Sequence, residues 1–127
     1  MEELQNKINA IYQVSKNYPD LVRGLVSIGI LSYTVDVTSG IIFYRSSGGE
    51  NLFHASEGTY REVANKFGKE ICIQAVKDTQ QGKTTYPEFL DQIAKAGVRF
   101  YEATLNGERK RVTYIGSGGF YEELIPN

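Results

Sequence analysis

Several residue types that carry chemistry are scarce in this chain of 127 residues, which has no tryptophan, one cysteine and one histidine. A lone cysteine, Cys72, excludes an intramolecular disulfide, and its neighbours Ile71 and Ile73 predict a buried thiol rather than a nucleophile. His54 has only scattered carboxylates near it in sequence, so neither a zinc site nor a Ser-His-Asp site is indicated. We therefore expect no metal and no cofactor.

The chain also lacks an excess of charge of one sign. Its 14 basic and 15 acidic residues give a net charge of -1, which argues against nucleic acid or an anionic membrane as partner. The one basic run, residues 109–111, is typical of a solvated strand edge. The opening MEELQNK is unlike a signal peptide, and no apolar run is long enough to span a bilayer, so we expect a cytoplasmic protein.

A repeat is what the sequence does contain. Residues 18–37 align with residues 86–105 without a gap, and a second block, 44–49, matches 114–119 after a loop of different length. The identities in the first block are Tyr18/Tyr86, Pro19/Pro87, Gly29/Gly97 and Tyr33/Tyr101. Two matching blocks in the same order indicate internal duplication, with halves near 3–56 and 60–125 in a single domain.

Each repeat predicts a helix followed by three strands. Asn17 and Thr85 are suitable N-caps, and Gly29 and Gly97 stand where a left-handed residue would end the helix. The apolar period then changes from 3.6 to 2, which is typical of a half-buried strand. Glycine-containing turns separate the predicted strands, which lie near 31–37, 41–45 and 51–55 in the first half and near 99–105, 109–115 and 120–124 in the second, where 99–105 is the aligned copy of 31–37.

A further helix is predicted ahead of each repeat. Residues 3–15 carry apolar side chains at helical spacing, as do residues 60–80, where Thr59 and Glu62 resemble a capping box and Gly68 is a candidate break. The predicted fold is therefore α+β, with two α-α-β-β-β repeats forming antiparallel sheet and the helices packed on one face.

The segment QQGKTTYPEFLDQIAKAGVRFYEATLNGERKRVTYIGSGGFYEELIP, which begins at Gln80, carries a family resemblance. Its Gln-x-Gly-Lys-Thr, Tyr-Pro-x-Phe and Ala-Gly-Val motifs resemble those of uncharacterised bacterial proteins, the domain of unknown function 1398, often labelled "phage envelope protein". The label implies an association with prophages and supplies no activity or mechanism.

Four tyrosines stand at equivalent strand positions of the two halves: Tyr33, Tyr44, Tyr101 and Tyr114. Tyrosine combines a large rigid ring with a polar tip, so these four, together with Glu122, form the predicted ligand-binding set. The alternative is that the tyrosines are simply core residues of the strands.

Three functions fit these patterns. The first is a non-catalytic module, of prophage origin, that binds a small molecule or a protein. The second is an enzyme with an unfamiliar site at the sheet edge, built from Glu122, Glu123, His54 and tyrosines; the third is a small structural protein of a phage particle. Because no charged residues have catalytic spacing, we favour the first and do not expect an enzyme. A homodimer is compatible with each function.

Overall fold

The same order of elements occurs twice along the chain. The computed structural model describes residues 2–54 and 60–126. The first half contains α1 (Glu2–Val14), α2 (Tyr18–Ser27), β1 (Ile30–Asp36), β2 (Ile42–Ser46) and β3 (Asn51–His54). The second contains α3 (Lys69–Gln80), α4 (Tyr86–Lys95), β4 (Val98–Thr104), β5 (Arg111–Gly116) and β6 (Gly119–Leu124). The predicted α-α-β-β-β order is confirmed in both halves.

One sheet joins the two halves. Its strand order is β3-β2-β1-β4-β5-β6, and every neighbouring pair is antiparallel. The pairing of β1 with β4 lies at the centre, so each half contributes a three-stranded meander to one side of the joint. The helices pack on one face of this sheet, which confirms the predicted fold class. Within the described residues, no helix has the length and apolar character needed to cross a membrane.

The strand register places two neighbouring rows of side chains on the helix-covered face. One row reads Leu52, Tyr44, Tyr33, Ala103, Val112 and Glu123, and the other reads His54, Ile42, Val35, Tyr101, Tyr114 and Tyr121. When one row is listed from β3 to β6 and the other from β6 to β3, Tyr33 corresponds to Tyr101 and Tyr44 corresponds to Tyr114. The two rows are therefore related by an approximate twofold axis through the β1–β4 joint.

The predicted local signals at the second helix of each half are confirmed. The Asn17 side chain accepts a hydrogen bond from the backbone N–H of Asp20 at 2.9 Å, and Thr85 forms a full capping box with Glu88. Gly29 and Gly97 end these helices with φ of +87° and +80°. An L-residue is disfavoured in that conformation, so glycine fixes where each chain leaves its helix for the sheet.

The predicted helix at 60–80 is wrong in its first part, because α3 begins only at Lys69, with Gly68 as its N-cap. Three backbone N–H groups of residues 60–68 donate to carbonyls that are distant in sequence. Arg61, Ala64 and Gly68 donate to the carbonyls of Thr38, Ala94 and Ala96 at 2.8, 3.0 and 2.8 Å. Tertiary hydrogen bonds replace helical ones here. Thr59, the proposed N-cap, lies outside the described residues.

Phe67 anchors the same segment against three glycines of the second half. A Cβ added at Gly116 or Gly119 would lie 2.8 or 2.7 Å from the Phe67 ring, and one added at Gly97 would lie 3.0 Å from its Cα. The ring thus occupies space that only glycine leaves open. This packing explains why an apolar pattern that resembles a helix instead forms an irregular strap, residues 60–68, across the second half.

The first helices of the halves also correspond, although they share no identities in their buried positions. The displacement of 68 residues that relates Tyr18 to Tyr86 places Leu4 on Cys72 and Ile8 on Val76. All four of these side chains are buried, with Cys72 fully inaccessible, as the sequence predicted. The same displacement places Tyr12 of α1 on Gln80 of α3.

Candidate functional site

A cavity of about 890 Å³ lies between the helices and the sheet and draws its walls from both halves. Its floor contains all four tyrosines predicted from the repeat, Tyr33, Tyr44, Tyr101 and Tyr114. Their side chains are only 2–6% exposed to solvent, so they are core residues and cavity residues at once. The register explains their convergence, since Tyr33 lies opposite Tyr44 and Tyr101 lies opposite Tyr114.

Three more tyrosines form the rim of the cavity: Tyr12, Tyr18 and Tyr86. They are 43%, 36% and 46% exposed, unlike the floor residues. Tyr12 lies in the last turn of α1, whereas Tyr18 and Tyr86 are the first residues of α2 and α4. The cavity therefore opens to solvent where these three helix ends meet.

Hydroxyl groups of the rim are paired with those of the floor. Tyr18 and Tyr33 are joined by a hydrogen bond of 2.7 Å, and the equivalent pair Tyr86 and Tyr101 by one of 3.2 Å. A third bond, of 2.8 Å, links the hydroxyls of Tyr12 and Tyr44. These bonds hold each rim ring beside a floor ring and leave mainly ring surface facing the cavity.

Burial keeps these phenols protonated. Desolvation raises the pKa of Tyr33, Tyr101 and Tyr114 well above the usual value of 10, and neighbouring tyrosines add to the effect. Desolvation raises the pKa of Tyr18 to about 12. The phenols are therefore neutral at physiological pH, where they act as hydrogen-bond donors and acceptors rather than as bases or nucleophiles.

The second half of the cavity departs from the symmetry. Gln80 stands where the first half has Tyr12, and Tyr114 forms no hydroxyl hydrogen bond within the described residues. Glu123 lies directly opposite Val112, diagonal to Tyr114, and it too lines the cavity. Its carboxylate has no hydrogen bond or ion pair within the described part of the chain. Gln80, Tyr114 and Glu123 thus line the cavity without a hydrogen bond or ion pair to the described residues, and Gln80 is exposed to solvent.

Glu122, the other residue predicted from sequence, is not brought together with the tyrosines. It lies opposite Thr113, on the sheet face away from the helices. Its carboxylate is bound by Arg109 and by Arg111, the latter at 3.0 Å from Nε to Oε1. Adjacent residues of a strand point to opposite faces, so the cavity receives Glu123 instead.

The residues considered for an enzyme at the sheet edge are also separated. His54 is in β3 and Glu123 is in β6, which are the two edge strands of the sheet. Five inter-strand spacings separate them, about 24 Å along the sheet. Together with Glu122 on the other face, this placement brings no acid–base pair of the proposed set together.

Other reactive groups are few among residues 2–54 and 60–126. No three His, Cys, Asp or Glu side chains there are placed to hold a metal ion. Burial, and secondarily the Glu123 carboxylate, raises the pKa of the Cys72 thiol to about 12. Glu57, one of the acidic neighbours of His54 in sequence, lies outside the described residues.

Comparison with known proteins shows what kind of chain carries this cavity. A family model described as "Protein of unknown function (DUF1398)" matches residues 6–119. The chain belongs to this family. The match extends from α1 to the start of β6, so it includes both halves of the DUF1398 fold and all seven cavity tyrosines. No curated protein matches the chain significantly.

In this DUF1398 protein, sequence reasoning found the cavity floor and missed its rim. Tyr18 and Tyr86 are identical between the repeats, and each occupies the exposed first position of a helix, where an aromatic residue is not needed for the core. The identity of these two exposed tyrosines is the sequence signal that could have indicated the rim of the cavity. Tyr12 has no tyrosine counterpart in the second half, and nothing in the sequence separated Glu123 from Glu122 except strand parity.

Proposed function

We propose that the protein is a non-catalytic binding module that encloses a small, mainly apolar molecule in the tyrosine-lined cavity. The observation that carries this proposal is the cavity of about 890 Å³, which has seven tyrosines from both halves in its wall. Cavities that bind small molecules span about 300–1,000 Å³ and combine apolar walls with a few placed polar groups. The role predicted for Tyr33, Tyr44, Tyr101 and Tyr114 is retained in this proposal.

The hydroxyl pairs explain why such a wall suits a ring or a chain of carbon atoms. Tyr18 and Tyr86 satisfy the polar tips of Tyr33 and Tyr101, so entry of an apolar molecule need not strip water from those two groups. The ring faces remain available for dispersion contacts and for stacking. Leu21, Ile42 and Phe89 add further apolar wall.

Binding is favoured over catalysis by the state of the polar groups. The cavity phenols are neutral, the Cys72 thiol is protonated, and His54 and Glu123 belong to opposite edge strands. A catalytic site needs an acid or base placed beside the reacting atom, whereas a binding site needs shape and a few donors or acceptors.

Filling the cavity tests the proposal. The uncharged dye Nile red, which fluoresces strongly in apolar surroundings, is expected to bind in one-to-one stoichiometry. Leu21→Trp places an indole at the cavity wall and is expected to weaken dye binding by about tenfold or more, because the added ring competes for the same space. Fluorescence titration measures both affinities, and circular dichroism checks that the variant is folded.

Val26→Trp is the matched control. Val26 is on the same helix, is 39% exposed and does not line the cavity, so the same substitution there should leave the dye affinity unchanged. The proposal is wrong if the native protein does not bind the dye, or if the two tryptophan variants weaken binding equally.

Assembly into a phage particle is the second candidate, suggested by the "phage envelope protein" label of the proteins that the segment from Gln80 resembles and by the sheet face away from the helices. That face carries the aromatic side chains Phe53, Phe100 and Phe120, which are 57%, 36% and 60% exposed. Exposed apolar groups of this kind support self-association.

Solution size separates a particle protein from the binding module. For a cytoplasmic bacterial binding module we expect a monomer or dimer in light scattering over a wide concentration range. Large assemblies that are lost in a Phe53→Ser/Phe120→Ser variant would favour the particle protein, because these substitutions remove apolar surface without reaching the cavity.

A further inference from the structure

Six of the seven tyrosine hydroxyls of the cavity are paired with one another, and the exception, Tyr114, belongs to the second half. In the first half, the hydroxyls of Tyr44 and Tyr12 satisfy each other at 2.8 Å. In the second half, the equivalent positions hold Tyr114 and Gln80, and neither side chain forms a hydrogen bond within the described residues. Gln80 is exposed to solvent at the cavity mouth, whereas Tyr114 is 6% exposed, so a bound molecule could supply the hydrogen-bond partner that the Tyr114 hydroxyl lacks.

Glu123 gives this end a negative charge. The twofold relation between the two rows of the sheet matches Glu123 with His54, so the corresponding place in the first half has no carboxylate. Lys16 also lines the cavity, but it precedes α2 in the first half. The carboxylate is diagonal to Tyr114 across β5 and β6, which puts the two side chains within reach of one small group.

We infer that Gln80, Tyr114 and Glu123 bind the ammonium group of an organic amine whose apolar or aromatic body lies among the cavity tyrosines. This inference rests on the proposed function and names the chemical class of its ligand. An ammonium group has three N–H donors and a positive charge, and here it meets a carboxylate, an amide oxygen and a phenol oxygen. Neutral aromatic rings attract a cation through their faces, so the tyrosine wall assists the same ligand.

A matched set of probes tests the inference. Naphthylethylamine, naphthylethanol and naphthylacetate share one ring system and differ in carrying an ammonium, a hydroxyl or a carboxylate. Calorimetry on the native protein is expected to show the amine binding about tenfold tighter than the alcohol, because a hydrogen bond to a charged group adds that much affinity. The carboxylate should bind most weakly, since Glu123 repels it.

Variants assign the preference to the three residues. Glu123→Gln keeps the shape and removes the charge, so it should abolish the preference for the amine and leave alcohol binding within about twofold. Tyr114→Phe should weaken amine binding several-fold. Gln80→Tyr reproduces Tyr12 of the first half. The new hydroxyl should form a hydrogen bond with the Tyr114 hydroxyl, and the affinity for the amine should therefore fall.

Glu122→Gln is the matched control, because it removes the same negative charge at a position outside the cavity. It changes the neighbouring carboxylate on the other sheet face, so amine affinity should stay unchanged. Equal binding of amine and alcohol by the native protein, or loss of the preference in Glu122→Gln instead of Glu123→Gln, would overturn the inference. Nile red binding that survives either result would leave the proposed function standing, whereas failure of the dye to bind would remove both.

Discussion

Gly97→Ala is expected to destabilise the protein by about 3 kcal/mol or more, whereas Gly29→Ala should cost only about 1 kcal/mol. Both residues have positive φ at equivalent helix ends, so both variants carry the strain of a left-handed L-residue. At Gly97 the new Cβ would also collide with the carbonyl oxygen of Lys66 and lie 2.8 Å from its carbonyl carbon. At Gly29 its nearest neighbour is the Ser47 hydroxyl at 2.9 Å, which can rotate away.

Urea unfolding of the two variants and the native protein measures this difference. The sequence alone predicts an equal cost of about 1 kcal/mol at both sites, because it shows two matching glycines and not the strap that crosses only one of them. Equal losses of stability in the two variants would mean that residues 66 and 67 do not press on Gly97.

The free energy of unfolding is expected to fall steeply above pH 10. The unfolded chain loses phenol protons near pH 10, but Tyr33, Tyr101 and Tyr114 keep theirs in the folded state because burial raises their pKa. The folded state then binds more protons, so stability that is fully present below pH 10 is lost as the pH rises further. Each protected phenol contributes a slope of up to about 1.4 kcal/mol per pH unit.

Two optical signals followed together test this expectation. Tyrosinate absorbance and helical circular dichroism should change in one cooperative step as the buried phenols ionise on unfolding. Tyr33→Phe removes one protected phenol, so the loss of stability with pH should be less steep in that variant. Ionisation of the buried tyrosines near pH 10 with the helical signal intact would contradict the expectation.

The fold was largely predictable because its signals are local. Asn17, Thr85, Gly29 and Gly97 each act on the chain within a few residues, and the change of period from 3.6 to 2 needs no knowledge of partners. The helix prediction was wrong at residues 60–68 for the opposite reason. The apolar pattern of this segment suits a helix, but its hydrogen bonds go to residues far away in sequence, and Phe67 fits glycines contributed by β5 and β6.

The site was predictable only where symmetry exposed it. Tyr33, Tyr44, Tyr101 and Tyr114 were found because the repeat made them equivalent. The choice between Glu122 and Glu123 depends on which face of β6 meets the helices, and register fixes that through pairing with β5. The polar end formed with Gln80 is a departure from the repeat, so a search for matching residues passes over it.

The joint between β1 and β4 has a consequence for how the sheet assembles. In an isolated half, the seven-residue strand β1 or β4 would have unpaired backbone groups along one edge. Such an edge is a template for pairing with another chain. The register is self-complementary, since Tyr33 pairs with Ala103, the counterpart of Val35, and Val35 pairs with Tyr101, the counterpart of Tyr33. Covalent continuity makes this association intramolecular, so the sheet, and the cavity above its joint, form independently of protein concentration.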